Sequence, residues 1–124
     1  MSVYKASETV DNLNWGTRMP VMAMIASSIV QIRARGVFSV MINDPDKLAA
    51  EVPDAEELPF YLQSLAASAM TDLIGMQGHK LSSVEELTST PQIFEQEFKN
   101  ILVEKLQPLG LQLKDATIEA IENL

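Results

Sequence analysis

The chain has 124 residues, 47% of them hydrophobic and 21% charged, with a net charge of −8 from 17 acidic and 9 basic side chains. That is the size and make-up of one folded domain with a modest core, and the absence of any basic run excludes nucleic-acid binding through phosphate neutralisation. There is no cysteine, which removes disulfides, thiolate metal sites and a thiol nucleophile.

The acidic balance also argues against electrostatic adhesion to anionic lipid, so membrane contact is expected to be indirect, through a protein partner, a further segment or a lipid anchor. The most apolar stretch, Met19 to Val30, is interrupted by Ser27 and Ser28 and is too short to span a bilayer. Lys5 and Arg18 are offset by Glu8 and Asp11, so no basic signal-peptide leader precedes it.

In chain order, residues 1–13 are polar without a sustained period and read as a flexible leader, with the folded domain expected over 14–124. Asn14-Trp15-Gly16-Thr17 followed by Pro20 predicts a turn or irregular segment, and Val21 to Ile25 a short strand. From Val30 to Ile42, apolar residues alternate with Gln31, Arg33, Arg35, Val37, Ser39 and Met41. This period of two predicts a long strand with one covered face, and Gly36 in its middle predicts a bend or bulge.

Asp44-Pro45 stops the strand and starts a short helix, Asp as cap and Pro at the first position. Asp54 caps the next helix, whose stripe Leu58, Leu62, Leu65, Ala69, Leu73 and Met76 is apolar, with Met70 and Met76 expected in the core. Ala66 to Ala69 are small and let a neighbour approach closely, and Gly75 and Gly78 mark the helix end. Ser82 with Glu85, or Ser83 with Glu86, predicts a capping box for a short helix through Leu87. Thr90-Pro91 opens another helix with Phe94, Phe98, Ile101, Leu102 and Leu106 on one face, ended by Pro108 and Gly110. Leu111, Leu113, Ile118 and Ala120 suggest a last strand whose register shifts near Asp115-Ala116, while Ile118, Ile121 and Leu124 fit a helical stripe equally well. The order predicts an α+β fold: an antiparallel sheet with a long central strand, amphipathic helices on one face, and a returning C-terminal strand.

Little in the chain suggests chemistry. His79, the single histidine, follows a helix end with no nominated partner and reads as a solvated loop residue. The acidic stretch Asp44, Asp46, Glu51, Asp54, Glu56 and Glu57 lacks the spacing of a calcium loop, and helix caps with a solvated face account for it. No phosphate-binding glycine motif is present. No catalytic residue, cofactor or metal is therefore expected. Arg33 and Arg35 share a strand face, as do Val37 and Met41, and Met19, Met22 and Met24 form a soft apolar group. Arg33, Arg35, Val37, Met41, Met22 and Met24 are the expected interaction residues.

Trp15-Gly16-Thr17, Val30 to Val40 with its Arg33-Ala34-Arg35-Gly36 core, and Asn43-Asp44-Pro45 resemble, in that order, a stretch of SPFH (band 7, prohibitin-homology) domains. The likeness is closest to the bacterial SPFH proteins sometimes labelled "virion core protein", and the downstream helices and Leu109 to Leu113 follow the same order over residues 14–124. The resemblance implies that residues 111–121 form a strand packed against the helices. It implies that the chain starts inside the domain, without the early strands, and ends without the coiled coil that usually follows. Stomatins, prohibitins, flotillins and the bacterial protease-regulating pair assemble into large oligomers on membranes and have no catalytic residues to carry over. By that resemblance the chain is expected to be a non-enzymatic scaffold, cytoplasmic or peripheral at the inner face of the membrane, whose partners are copies of itself and membrane proteins. The competing expectation is a small anionic-ligand or peptide-binding module using Arg33 and Arg35.

Overall fold

The structure, a computed structural model, describes residues 3–124. Four strands, β1 (Thr9–Gly16), β2 (Val21–Ile25), β3 (Ser28–Ile42) and β4 (Leu111–Asn123), form one antiparallel sheet. Between β3 and β4 come the helices α1 (Pro45–Glu51), α2 (Leu58–Gln77), α3 (Glu85–Thr88) and α4 (Glu95–Leu106), with single 3-10 turns between or after them. This is the expected α+β arrangement.

The sheet is built around β3. Gly36 is paired with Trp15 of β1 on one side and Ile118 of β4 on the other, and Ile32 with Val21 of β2 and Asn123 of β4. The strands β1 and β2 therefore run end to end along one edge of β3, and β4 runs along the other. Ile32, Ala34, Phe38, Val40 and Ile42 of β3 are buried under Leu62, Ala66, Met70 and Leu73 of α2 and Phe98, Leu102 and Leu106 of α4. On the opposite face Ile29, Gln31, Arg33 and Arg35 of β3 and Met22 and Met24 of β2 are exposed.

Residues 9–13, expected in a flexible leader, form most of β1, and Leu13 is buried. Their alternation is hidden by a bulge: the register slips between Val10 and Leu13, Asn12 takes a positive φ of 56°, and its N–H donates to Ser39 Oγ at 3.0 Å. The first residues also lie against the fold, since Ser7 N–H donates to Ile42 O and the buried Tyr4 hydroxyl donates to Val52 O at 2.6 Å. Met1 and Ser2, part of the same expected leader, lie outside the described residues.

The Asp44 cap forms, its carboxylate accepting from Lys47 N–H at 3.2 Å, and Asp54 accepts from Glu56 N–H at 3.0 Å. Thr90 makes no side-chain cap bond. Near Ser82 the Glu86 carboxylate accepts from the Ser82 N–H at 3.2 Å, while Val84 at the start of α3 has no side-chain cap bond. In α2, Met70 is buried as expected, but Met76 is 53% exposed. The buried line instead passes through Ile74 to Gln77, whose amide bonds the Glu97 carboxylate. Gly75 lies within α2, which ends at Gln77. The last segment is strand to Asn123, with its register shifting opposite Ser39/Val40 and Arg35/Gly36. The first shift falls beside the expected Asp115-Ala116 and the second at the expected Gly36 bend.

Candidate functional site

The segment Trp15-Gly16-Thr17 is a structural joint. The buried Trp15 ring lies 4.8 Å from the Phe98 ring, tilted by 42°, an aromatic contact worth about 0.5–1.5 kcal/mol beyond area burial. The indole occupies space left open by Gly36: a Cβ there would come within 2.7 Å of Trp15 Nε1 and Cζ2 and would overlap the Thr117 carbonyl oxygen. Trp15 Nε1 is buried without a hydrogen-bond partner among the described residues. Thr17 closes the joint: its N–H donates to Ala34 O at 3.0 Å and its hydroxyl accepts from Ala34 N–H at 3.1 Å. A side chain thus replaces the strand carbonyl where the backbone turns from β1 towards β2. The Trp-Gly-Thr and Arg-Ala-x-Gly stretches are two halves of one packing arrangement.

The uncovered face of the sheet has two unlike halves. In the hairpin half, Met22 pairs with Gln31 and Met24 with Ile29, so cross-strand neighbours on one face are mostly apolar. Met22, Met24 and Ile29 are 60%, 57% and 65% exposed. Arg33 and Arg35 follow on the same face, both exposed; Arg33 stands opposite Glu122, and neither is in an ion pair among the described residues. In the other half Val37, Ser39 and Met41 are only half-buried, and Lys114 of β4 reaches across β3 to Asp11 of β1 at 3.2 Å. The six expected interaction residues therefore share one face, with Met22, Met24, Arg33 and Arg35 exposed and Val37 and Met41 partly covered. Ile29 joins them; the alternation that places Gln31 and Arg33 outward signals it equally well.

The two sheet edges are unequal. No further strand pairs with β1 or β4 among the described residues. The β4 edge is blunted, because the Glu95 carboxylate accepts from Ile118 N–H at 3.0 Å and Lys99 pairs with Asp115 at 3.4 Å. Beside β1, a cleft of about 500 Å3 is lined by residues 14–18 with Gln63, Ser64 and Ala67. Ser64 also lines another cleft of about 500 Å3, with Glu56, Glu57, Phe60 and Tyr61. The Arg18 guanidinium sits over the Phe60 ring at 4.6 Å, a cation–π contact.

His79 is exposed beyond the end of α2. The described residues contain no group of three or more His, Cys, Asp or Glu able to hold a metal ion. No helix among them is long and apolar enough to cross a membrane.

Comparison with curated proteins gives no match. The family model for the SPFH domain-Band 7 family matches residues 2–123, nearly the whole chain and including the Trp-Gly-Thr joint, β3 and the returning β4. The chain belongs to the SPFH domain-Band 7 family.

Proposed function

We propose that this chain is a non-catalytic assembly module of a membrane-associated SPFH scaffold, which packs against copies of itself and organises partner proteins. The observation that carries the reading is the uncovered sheet face, where Met22, Met24 and Ile29 lie exposed together beside the exposed Arg33 and Arg35. Isolated exposed apolar side chains are ordinary, whereas a contiguous group marks an interaction surface. Membership of the SPFH family supports a scaffold at a membrane, with attachment through other proteins.

The test is solution mass by light scattering over a concentration series, with Met22→Glu and Met24→Glu, both at exposed positions, as variants. The expected result is a defined oligomer whose mass falls in both variants while the circular dichroism spectrum is kept. A monomer at every concentration overturns the assembly reading, and an unchanged mass in both variants shows that the exposed methionine face is not the contact.

A further inference from the structure

Charge is distributed unevenly along the chain. Between Asp11 and Asp44 there is no acidic residue, while all three arginines, Arg18, Arg33 and Arg35, fall there together with Met19, Met22, Met24 and Met41. The exposed face of the hairpin half is therefore apolar with two arginines, Arg33 and Arg35, against the one carboxylate of Glu122 opposite Arg33, in a chain of net charge −8. The start of α2 has the opposite character. Glu56 and Glu57 are exposed, Phe60 and Tyr61 are 54% and 37% exposed, and together with Ser64 they line a cleft of about 500 Å3. Further along the same side of α2, Ser64, Ala67 and Ser68 line neighbouring clefts, and their small side chains leave room for an incoming chain.

These two surfaces match in chemistry as well as in sign. Methionine sulfur and methyl groups pack well on aromatic rings, guanidinium groups stack on them, and arginine forks suit carboxylates. The Phe60 ring already holds one guanidinium, that of Arg18 in the same chain, and remains more than half exposed. Both surfaces belong to every copy and consist of different residues. Their union is heterologous, so it repeats from copy to copy and yields a ring if the rotation closes and a filament if it does not.

We infer that the β2–β3 hairpin of one copy, through Met22, Met24, Ile29, Arg33 and Arg35, docks on the acidic aromatic cleft at the start of α2 of the next copy. This rests on the proposed assembly function and names its two surfaces. The occupant of the cleft is a second copy of this chain, because the hairpin supplies the apolar surface and the cations that the cleft complements.

The experiment is charge reversal read by light scattering on the full 124-residue chain. Arg33→Glu with Arg35→Glu, and separately Glu56→Arg with Glu57→Arg, should each raise the dissociation constant roughly tenfold or more, since like charges then oppose each other across the contact. The quadruple variant should regain most of the wild-type assembly, and so should an equimolar mixture of the two double variants. Circular dichroism of each variant shows that the fold is kept. Should a double variant unfold, Met24→Ser and Phe60→Ser replace it, with the same loss of mass expected.

If the wild-type chain assembles but neither reversal changes its mass, this pairing of surfaces is wrong and the assembly function stands. Loss of mass in both double variants with no rescue in the quadruple variant or the mixture also overturns the pairing. If the wild-type chain stays monomeric, the assembly function itself falls. If Arg33→Glu with Arg35→Glu leaves the mass intact but abolishes binding to vesicles of phosphatidylcholine with 30% phosphatidylserine (about a third of the lipid carrying charge, for which each arginine near the surface contributes on the order of 1 kcal/mol), the hairpin faces a bilayer and the inference is overturned.

Discussion

The two halves of β3 have the same alternating sequence and opposite fates. From Gly36 to Ile42 the strand lies between β1 and β4, and its outward side chains are partly covered by bulged neighbours and by Lys114 spanning to Asp11. From Ile29 to Arg35 its neighbours are the five-residue β2, over Ile29 to Ile32, and the end of β4, over Ile32 to Arg35, and Ile29, Gln31, Arg33 and Arg35 stand in solvent. Strand pairing supplies the backbone hydrogen bonds in both halves; side-chain cover is what separates them. The covered half carries the packing of the fold, and the hairpin half is left free to meet something else.

That division breaks most visibly at Gly36. A valine there must displace the Trp15 indole and the Thr117 carbonyl together, both held by the sheet. Overpacking of this kind exceeds the usual 1–3 kcal/mol, and Gly36→Val should destabilise the chain by at least ~3 kcal/mol or prevent folding, measured by urea denaturation. Met24→Ser in the hairpin half, measured alongside, should stay within about 0.5 kcal/mol of the wild type. Equal losses in the two variants would abolish the distinction between the halves.

The hairpin turn offers the next largest change. Ala26 and Ser27 have φ of 52° and 66°, joining Ile25 and Ser28, which pair directly. Two-residue turns with both φ positive favour Asn-Gly, and left-handed backbone costs an ordinary residue roughly 1–2 kcal/mol. Ala26→Asn with Ser27→Gly should therefore stabilise the chain by about 1 kcal/mol, seen as a higher melting temperature. An unchanged or lower melting temperature would show that the turn is not where the hairpin stores its strain.

An effect of similar size lies at the covered end. Burial first, and the charge of Asp54 second, raise the Tyr4 phenol above its ordinary 10.0. The folded chain then holds that proton more tightly than the unfolded chain, so the contribution is complete below pH 10 and fades as pH rises through the folded value. Tyr4→Phe should cost roughly 1 kcal/mol at neutral pH, the worth of one hydrogen bond. It should also flatten part of the alkaline loss of stability. An identical alkaline profile in both proteins would mean that Tyr4 contributes nothing to it.

Much of the fold is legible where the pattern is local. The alternation of β3, the Asp44-Pro45 cap and the periodicity of α4 depend on neighbouring residues and reappear in the structure. β1 was hidden because the bulge at Asp11-Asn12 breaks the period of two just where it would have been noticed. Met76 was misplaced because the buried line of α2 steps from Leu73 through Ile74 to Gln77, following a contact with α4 that no helical wheel contains. The same limit applies to the interaction surfaces. Met22, Met24, Arg33 and Arg35 follow from strand parity, whereas the cleft at Phe60 and Tyr61 exists only after α2 has been laid beside β1.

The position of β4 has a kinetic consequence. Every one of its pairings with β3, from Ile42 with Leu111 to Ile32 with Asn123, joins residues separated by more than half the chain. Such distant contacts raise the contact order and slow folding. As the chain leaves the ribosome, one whole edge of its central strand stays open until β4 emerges, after all four helices have been made. Until then the β3 edge that β4 will cover is an unpaired strand edge, the kind that makes a folding intermediate prone to aggregate.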